Sequence, residues 1–290
     1  MIPTAILPPF LVLDRLLSNW LLEDIGRGDW TTQAIFPVGA NDGKAVWVAK
    51  ESGVIAGLPI AARLFQLLDQ RVVFKAEVTE GSFCDQGQII ATLTGPLDQL
   101  LIGERTALNL VMRLSGVASM TRRYTAKIAD LQAQLVDTRK TTPGLRLLEK
   151  YATQVGGATS HRMGLDDAAM IKDNHIAAAG GVGTAIAQVR ARVPYPLTIE
   201  VETETLDQVY IALEQGADII MLDNMPLELM QQAVQVIRLH NSKIRIEASG
   251  NITLETIRAI AETGVDYIST SAPVTRSSWL DVSMKIIEKE

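Results

Sequence analysis

The sequence predicts an α/β protein whose C-terminal half is a barrel of parallel strands. After Leu135, short apolar strands alternate with amphipathic helices, as in LTIEV followed by TLDQVYIALEQG. Glycines such as Gly216 and Gly264 follow these helices. Repeated strand and helix units favour parallel strands, and six or more in succession favour a barrel.

The N-terminal half has a different pattern. Apolar residues recur at helical spacing over residues 9–22, which predicts a helix. Between residues 43 and 95, short β-branched runs separated by glycine turns predict mainly antiparallel strands, with a helix over residues 61–68. A further helix is predicted over residues 96–130, with Ser115 and Gly116 as a candidate break.

Length and composition limit the classes of protein that need considering. The chain has 290 residues, of which 47% are hydrophobic, so we expect two domains, over residues 1–115 and 116–290, with a C-terminal tail that can pack on the first. A net charge of −6 argues against general nucleic-acid binding, and the single cysteine, Cys84, excludes an internal disulfide. No apolar run reaches the roughly 18–20 residues of a membrane span, so we expect a cytoplasmic protein.

Positive charge is concentrated between residues 135 and 175. Arg139 and Lys140 follow a short strand, and His161, Arg162 and Lys172 come before or at the end of the next one. Such a cluster in an acidic chain indicates a pocket for a small polyanion bearing carboxylates or phosphates. The alternatives are a solvated surface of scattered charges and, for Lys172, a Schiff-base lysine.

Acidic side chains follow in the next strands. The two-residue period of a strand places Glu200 and Glu202 on one side, about 6.6 Å apart, and Asp223 ends the following strand. Oxygen ligands of this kind suit Mg²⁺ together with sugar hydroxyls. Alternatively, Glu200 forms a scaffold ion pair with a neighbouring Lys or Arg, and Asp223 caps a helix.

Small polar residues follow the last two strands. Ser249, Gly250 and Asn251 follow one strand, and Ser271 follows the other. Hydroxyls and a glycine at these positions indicate a phosphate site, as in many barrels, although a glycine turn with a helix cap would have the same pattern. Arg105, in GERTALN, has the character of a surface arginine on a helix.

The central stretch closely resembles the quinolinate phosphoribosyltransferases. DTRKTTPGLR, then GGATSHRMGLDD, then IKDNH follow one another in the order typical of that family. EDIGRGDWTT, GERTALN, EVET, DIIMLDN and EASGNI extend the resemblance over nearly the whole chain.

The resemblance implies an N-terminal α/β sandwich joined to an incomplete, TIM-like α/β barrel. It also implies transfer of a phosphoribosyl group from phosphoribosyl pyrophosphate to quinolinate with Mg²⁺. The products would be nicotinate mononucleotide, pyrophosphate and CO₂, a step of NAD biosynthesis. Family members pair as homodimers with shared active sites, so Arg105 would reach the partner's site, against its interpretation as a surface residue.

The resemblance further implies a role for each motif residue. Arg139, His161, Arg162 and Lys172 would hold the two pyridine carboxylates, with Arg105 supplied by the partner. Lys140 would lie over the pyrophosphate, and Glu202 and Asp223 would hold ribose hydroxyls and Mg²⁺, with Glu200 behind them. The 5′-phosphate contacts would come from Ser249, Gly250, Asn251 and Ser271.

Two segments depart from the family pattern. Asn251 stands where the family usually has a second glycine, and residues 270–276 replace V-G-A-L-T-H-S, which makes Arg276 a candidate replacement contact. The alternative functions are a nicotinate phosphoribosyltransferase of the same fold and a non-catalytic metabolite-binding relative associated with molybdate transport. Arg139, Arg162 and Lys172 together favour the dicarboxylate substrate.

Overall fold

The computed structural model describes residues 5–287. Its helices are α1 (Phe10–Ile25), α2 (Trp30–Ile35), α3 (Leu58–Leu68), α4 (Leu97–Lys127), α5 (Arg146–Val155), α6 (Asp173–Ala179), α7 (Val182–Arg190), α8 (Leu206–Glu214), α9 (Leu227–His240), α10 (Ile257–Ala261) and α11 (Ala272–Thr275). Its strands are β1 (Asp42–Ala49), β2 (Gly53–Val54), β3 (Val73–Ala76), β4 (Phe83–Cys84), β5 (Ile89–Pro96), β6 (Gln134–Val136), β7 (Ala169–Ile171), β8 (Ile199–Thr203), β9 (Ile219–Asp223), β10 (Arg245–Ser249), β11 (Tyr267–Ser269) and β12 (Val282–Ile287).

The chain forms two compact units. The first contains the chain up to Arg122, Leu147–Gly157, and the chain from Ser277 onward. The second contains Arg123–Arg146 and Ala158–Arg276. Each unit is therefore built from separate stretches of the chain. Nearly all of α5 and all of β12 belong to the first unit, although residues of the second unit precede each of them in the sequence.

The first unit is built on a four-stranded antiparallel sheet in the order β12-β1-β5-β3. Trp47 of β1 is fully buried and meets the edge of Phe74 with ring centroids 5.2 Å apart. Leu13, Leu17 and Leu21 recur every four residues, so α1 buries one leucine face. Sheet, helices and aromatic contacts together give the α/β layer that the resemblance implied.

The second unit is built on a six-stranded parallel sheet in the order β6-β11-β10-β9-β8-β7. An isolated parallel bridge between Val136 and Thr159 extends it beyond β6. Within residues 5–287 no strand pairing joins β7 to that side, so the barrel is incomplete. The predicted fold class is confirmed.

Strand register decides which residues share a face of this sheet. Glu202 lies opposite Met221, which lies opposite Glu247, and Asp223 lies opposite Ser249. The alternate residues, such as Val201 and Leu222, are buried apolar side chains of the opposite face. One face of the sheet therefore carries the polar groups, most of them towards the carboxyl ends of the strands.

The helix predicted over residues 96–130 has no break. The structure has a continuous α4, and a Cβ on Gly116 would lie 1.9 Å from the backbone oxygen of Ser278. Gly116 thus permits a close approach of two backbone segments.

Among the described residues, none of the helices combines the length and the apolar character that crossing a membrane requires.

Candidate functional site

Arg139 and Arg162 belong to the second unit, and each is near enough for its charge to act on the other. Arg139 follows β6, and its Nε is buried without a hydrogen bond to any of residues 5–287. Arg162 donates from Nη1 to the backbone oxygen of Ala168 at 2.8 Å. Burial, followed by the charge of Arg139, lowers the pKa of Arg162. Two guanidiniums that disfavour each other, one with an unpaired buried donor, form a site prepared for an anion.

His161 lies against two buried carboxylates from the sheet. Its Nε2 is 3.2 Å from Glu200 Oε2 and 3.4 Å from Glu247 Oε2. Burial disfavours the charged ring, but the two carboxylates outweigh it and raise the pKa of His161 to about 10. Burial also raises the pKa of Glu200. Glu200 therefore pairs with a histidine, which corrects the alternative in which its partner is Lys or Arg.

The backbone around His161 is held by an acid that follows β6. Asp137 Oδ1 accepts from the backbone N–H of His161 at 2.9 Å, and the Ser160 hydroxyl is 3.4 Å from Asp137 Oδ2. The N–H of Arg162 donates to His161 Nδ1 at 2.7 Å. In the neutral ring Nδ1 accepts this bond and the single ring proton lies on Nε2, facing the glutamates. In the charged ring both nitrogens carry protons.

Lys172 forms an ion pair with Glu202, between its Nζ and Glu202 Oε1. The Lys172 side chain is 44% exposed and that of Glu202 is 14% exposed. A Schiff-base lysine needs apolar burial, so this environment favours an electrostatic role instead. Lys140 is exposed, and only its backbone N–H is fixed, by a bond of 3.1 Å to Thr138 Oγ1.

Asp223 ends β9 and is held from the side by an asparagine. Asn224 Nδ2 donates to Asp223 Oδ2 at 2.8 Å, and Asn251 Nδ2 donates to Asn224 Oδ1 at 3.1 Å. The following helix, α9, begins after Pro226 without a side-chain cap. Asp223 is therefore not the helix cap that the sequence left open, and its carboxylate remains at the strand end.

Both asparagines have left-handed backbones. Asn224 has a φ of 53° and Asn251 a φ of 52°, and they are the two non-glycine residues with positive φ among those described. Asn tolerates this conformation better than most residues, and such strain is common at functional sites. Asn251, where the family usually has glycine, thus keeps a glycine-like backbone while adding a side chain that bonds Asn224.

The remaining predicted phosphate contacts lie at neighbouring strand ends. The Ser249 carbonyl accepts from Asn224 N–H at 2.9 Å, and the Ser271 carbonyl accepts from Val274 N–H at 2.9 Å, at the start of α11. Ser249, Gly250 and Ser271 are partly exposed, and Arg276 is exposed after α11. Hydroxyls at these positions can reach a ligand above the sheet.

Arg105 is the one predicted site residue that lies in the first unit. It is exposed on α4. All other predicted residues lie in the second unit, at or near the carboxyl ends of its strands.

Sequence reasoning missed Glu247, Asp137 and Asn224. Glu247 is 4% exposed in the middle of strand β10, two residues before Ser249, as Glu200 is two residues before Glu202. The signal that could have identified it is an acid in the middle of a buried strand. Asp137 and Asn224 stand beside predicted residues in the DTRK and LDN motifs.

Comparisons with known proteins show which family the chain resembles. The pattern of the quinolinate phosphoribosyl transferase N-terminal domain matches residues 29–115, and that of its C-terminal domain matches residues 117–285. A relative from Synechocystis, named a probable carboxylating nicotinate-nucleotide pyrophosphorylase, is 57% identical over 98% of this chain and 96% of its own length. A relative of the same name from Bacillus subtilis is 45% identical over 95% of this chain and 94% of its own.

A solved structure has the same fold over almost its whole length. The structure of NadC from Streptococcus pyogenes matches with a TM-score of 0.91 and 42% identity, and the match covers 98% of this chain and 100% of that one. Both domain patterns, the similar sequences and this structure agree. The chain therefore belongs to the quinolinate phosphoribosyltransferase family.

Proposed function

We propose that this chain is a pentosyltransferase that joins quinolinate to phosphoribosyl pyrophosphate. The reaction releases pyrophosphate and CO₂ and gives nicotinate mononucleotide for NAD biosynthesis. The relatives carry the name of this activity in its carboxylating form. The observation that carries the proposal is the pair Arg139 and Arg162, two like charges that repel each other, with the Nε of Arg139 buried and unbonded, which calls for a multiply charged anion. A cytoplasmic location stays a prediction from the sequence.

Cationic residues of the second unit would bind the pyridine dicarboxylate. Arg139 and Arg162 would take the carboxylates, with His161 beside them. Lys172 would exchange Glu202 for a substrate carboxylate, since a lysine in a half-exposed ion pair can change partners at little cost. A fixed set of cations holds the ring nitrogen in line with the sugar and lowers the entropic part of the barrier.

Acidic residues at the strand ends would act on the sugar. Loss of pyrophosphate gives the ribose an oxocarbenium character, which the carboxylates of Glu202 and Asp223 would stabilise. Lys140, an exposed cation, would neutralise the leaving pyrophosphate. The 5′-phosphate would lie over Ser249, Gly250, Asn251 and Ser271. Once the ring nitrogen is quaternised, its positive charge stabilises the electron pair left on the ring carbon by the departing CO₂. A proton from water then takes the place of the carboxylate, so no protein base is needed.

Glu202 and Asp223 also fit a magnesium ion. Each uses one carboxylate oxygen in a side-chain bond, and no hydrogen bond within residues 5–287 engages Glu202 Oε2 or Asp223 Oδ1. Mg²⁺ commonly takes one or two carboxylates and completes its shell with water and substrate phosphates. When bound, it would supply positive charge to the pyrophosphate oxygens.

We further propose a homodimer in which Arg105 of one protomer serves its partner's site. The exposure of Arg105 in the first unit supports this role, because an exposed guanidinium is accessible to a second protomer. The dimeric arrangement of the family is the basis for the proposal.

The test is turnover of the purified chain with phosphoribosyl pyrophosphate and Mg²⁺, using quinolinate or nicotinate as the acceptor. We expect pyrophosphate release with quinolinate and none above background with nicotinate. Turnover with nicotinate alone would assign the chain to the nicotinate phosphoribosyltransferases. Binding of either pyridine without turnover would favour a metabolite-binding protein instead.

A further inference from the structure

Glu247 is a buried acid for which the proposed reaction has no role. Its side chain is 5% exposed and that of Glu200 is 1% exposed, and the Oε1 atom of each is buried without a hydrogen bond to any described residue. Buried carboxylates with an unpaired oxygen are costly, and well-packed apolar replacements are often neutral or stabilising. Two of them on one face of a sheet therefore call for a reason other than stability.

Both glutamates direct their other oxygen at one atom, Nε2 of His161. They approach from different strands, Glu200 from β8 and Glu247 from β10, so the ring is held from two sides. The other ring nitrogen, Nδ1, lies 2.7 Å from the backbone nitrogen of Arg162 and accepts its N–H when the ring is neutral. His161 thus has both nitrogens engaged by the protein.

The three groups are also close enough to hold a metal, since their ligand atoms lie within 4.8 Å of one another. The surrounding charges favour a proton instead. Arg162 is near enough for its charge to act on Glu200, and the charge of Arg139 acts on Arg162. A divalent ion beside two guanidiniums would be repelled, whereas one proton on Nε2 satisfies both glutamates.

We propose that Glu247 is a positioning residue for the quinolinate site: with Glu200 it fixes the ring of His161 and, through the adjoining chain, the position of Arg162. His161 then acts on the substrate through the placement of the Arg162 guanidinium and through its charge. The charged and titratable groups around the ring are Glu200, Glu247, Arg162 and Asp137, the last bonded to the His161 backbone N–H. This inference rests on the proposed function for its effect on quinolinate.

Two measurements test this role, and the first does not depend on turnover. The chain has three histidines, so the imidazole NMR signals of His161 can be assigned by their loss in His161→Gln. The folded ring has a raised pKa, of about 10, so it should keep its proton through neutral pH and lose it only as the pH rises towards 10. In Glu247→Gln we expect the titration midpoint of His161 to fall by at least one pH unit.

The second measurement is kinetic. Glu247→Gln should lower kcat/KM for quinolinate about tenfold, while KM for phosphoribosyl pyrophosphate changes less than twofold. Glu228→Gln, an exposed acid in the first turn of α9, is the matched control and should leave both constants unchanged. Glu247→Asp should recover part of the loss, because it restores a carboxylate on the same side of the ring.

Three results would overturn the proposal. A wild-type His161 that titrates near 6.5, its ordinary value, would remove the two-carboxylate contact without any need for a variant. An unchanged His161 titration in folded Glu247→Gln would separate Glu247 from the ring. Equal losses for both substrates would indicate general damage to the fold. If the chain shows no turnover but His161 titrates near 10 and shifts in Glu247→Gln as expected, only the proposed function would be contradicted.

Discussion

Gly250 has no side chain, and this allows the predicted phosphate loop to approach Asn224 closely. It has a φ of 95°, and a Cβ there would lie 2.1 Å from Asn224 Oδ1 and 2.9 Å from the Asn224 backbone nitrogen. Asn224 also donates to Asp223 and accepts from Asn251. Gly250, in the predicted phosphate loop, therefore lies against Asn224. Asn224 in turn orients Asp223, the acid predicted to hold the ribose.

Gly250→Ala should consequently affect both stability and substrate binding. We expect a higher KM for phosphoribosyl pyrophosphate, at least threefold, because the new methyl group displaces Asn224 and with it Asp223. Gly216→Ala is the control, since Gly216 has a φ of 70° and a Cβ there meets nothing within 4 Å. It should cost only the backbone penalty of about 1 kcal/mol, measured by denaturant unfolding. Equal behaviour of the two variants in both measurements would contradict this account.

The N-terminus of α3 depends on an acid from elsewhere in the first unit. Glu80 accepts from Gly57 N–H at 2.6 Å, from Leu58 N–H at 3.1 Å and from the Tyr151 hydroxyl at 2.9 Å. Helix starts leave backbone donors unpaired, and Gly57 has no side chain to satisfy them. A single carboxylate thus joins α3 to α5.

Glu80→Ala should therefore destabilise the protein by about 2 kcal/mol, because it leaves buried donors without acceptors. Glu77→Ala removes an exposed acid that pairs with Lys75, and it should lower the free energy of unfolding by less than Glu80→Ala does. Urea unfolding of both variants measures the difference. Similar midpoints would mean that water replaces Glu80 at the helix start.

Sequence patterns predicted elements well where periodicity alone decides them. The alternation after Leu135 gave the parallel strands, and the leucine spacing gave α1. A glycine within a helix was ambiguous: Gly116 was a candidate break, but it serves a close backbone contact inside α4. Local patterns do not say which distant segment a residue faces.

The same limit explains the part of the site that was missed. The cationic residues and Glu202 stand in recognisable motifs, so they could be named from the sequence. Glu247 meets Glu200 around His161 only because β9 lies between β8 and β10 in register. Strand order and register are properties of the folded sheet, and a lone acid in an apolar strand does not specify them.

At the scale of the whole molecule, Arg105 belongs to the first unit, and every other predicted site residue belongs to the second. A shared site predicts that two defective protomers can complement each other. Arg105→Ala and Arg139→Ala should each be inactive as homodimers. In a mixed dimer of the two variants, one of the two sites would have both arginines and the other would have neither. We therefore expect up to half of the wild-type activity per dimer.

Mixed dimers purified with two different affinity tags provide the measurement, and Arg105→Ala mixed with itself is the control. Absence of recovery in proven mixed dimers would place Arg105 outside the partner's site. It would leave the assignments within the second unit unaffected.

The central claim is that the cations of the second unit hold a pyridine dicarboxylate which loses one carboxylate after phosphoribosyl transfer. The most direct measurement is the ratio of CO₂ to pyrophosphate released by the purified chain from quinolinate labelled in the 2-carboxylate. We expect one labelled CO₂ for each pyrophosphate, with loss of both in Arg139→Ala. Pyrophosphate release without labelled CO₂, or equal release with nicotinate, would contradict it.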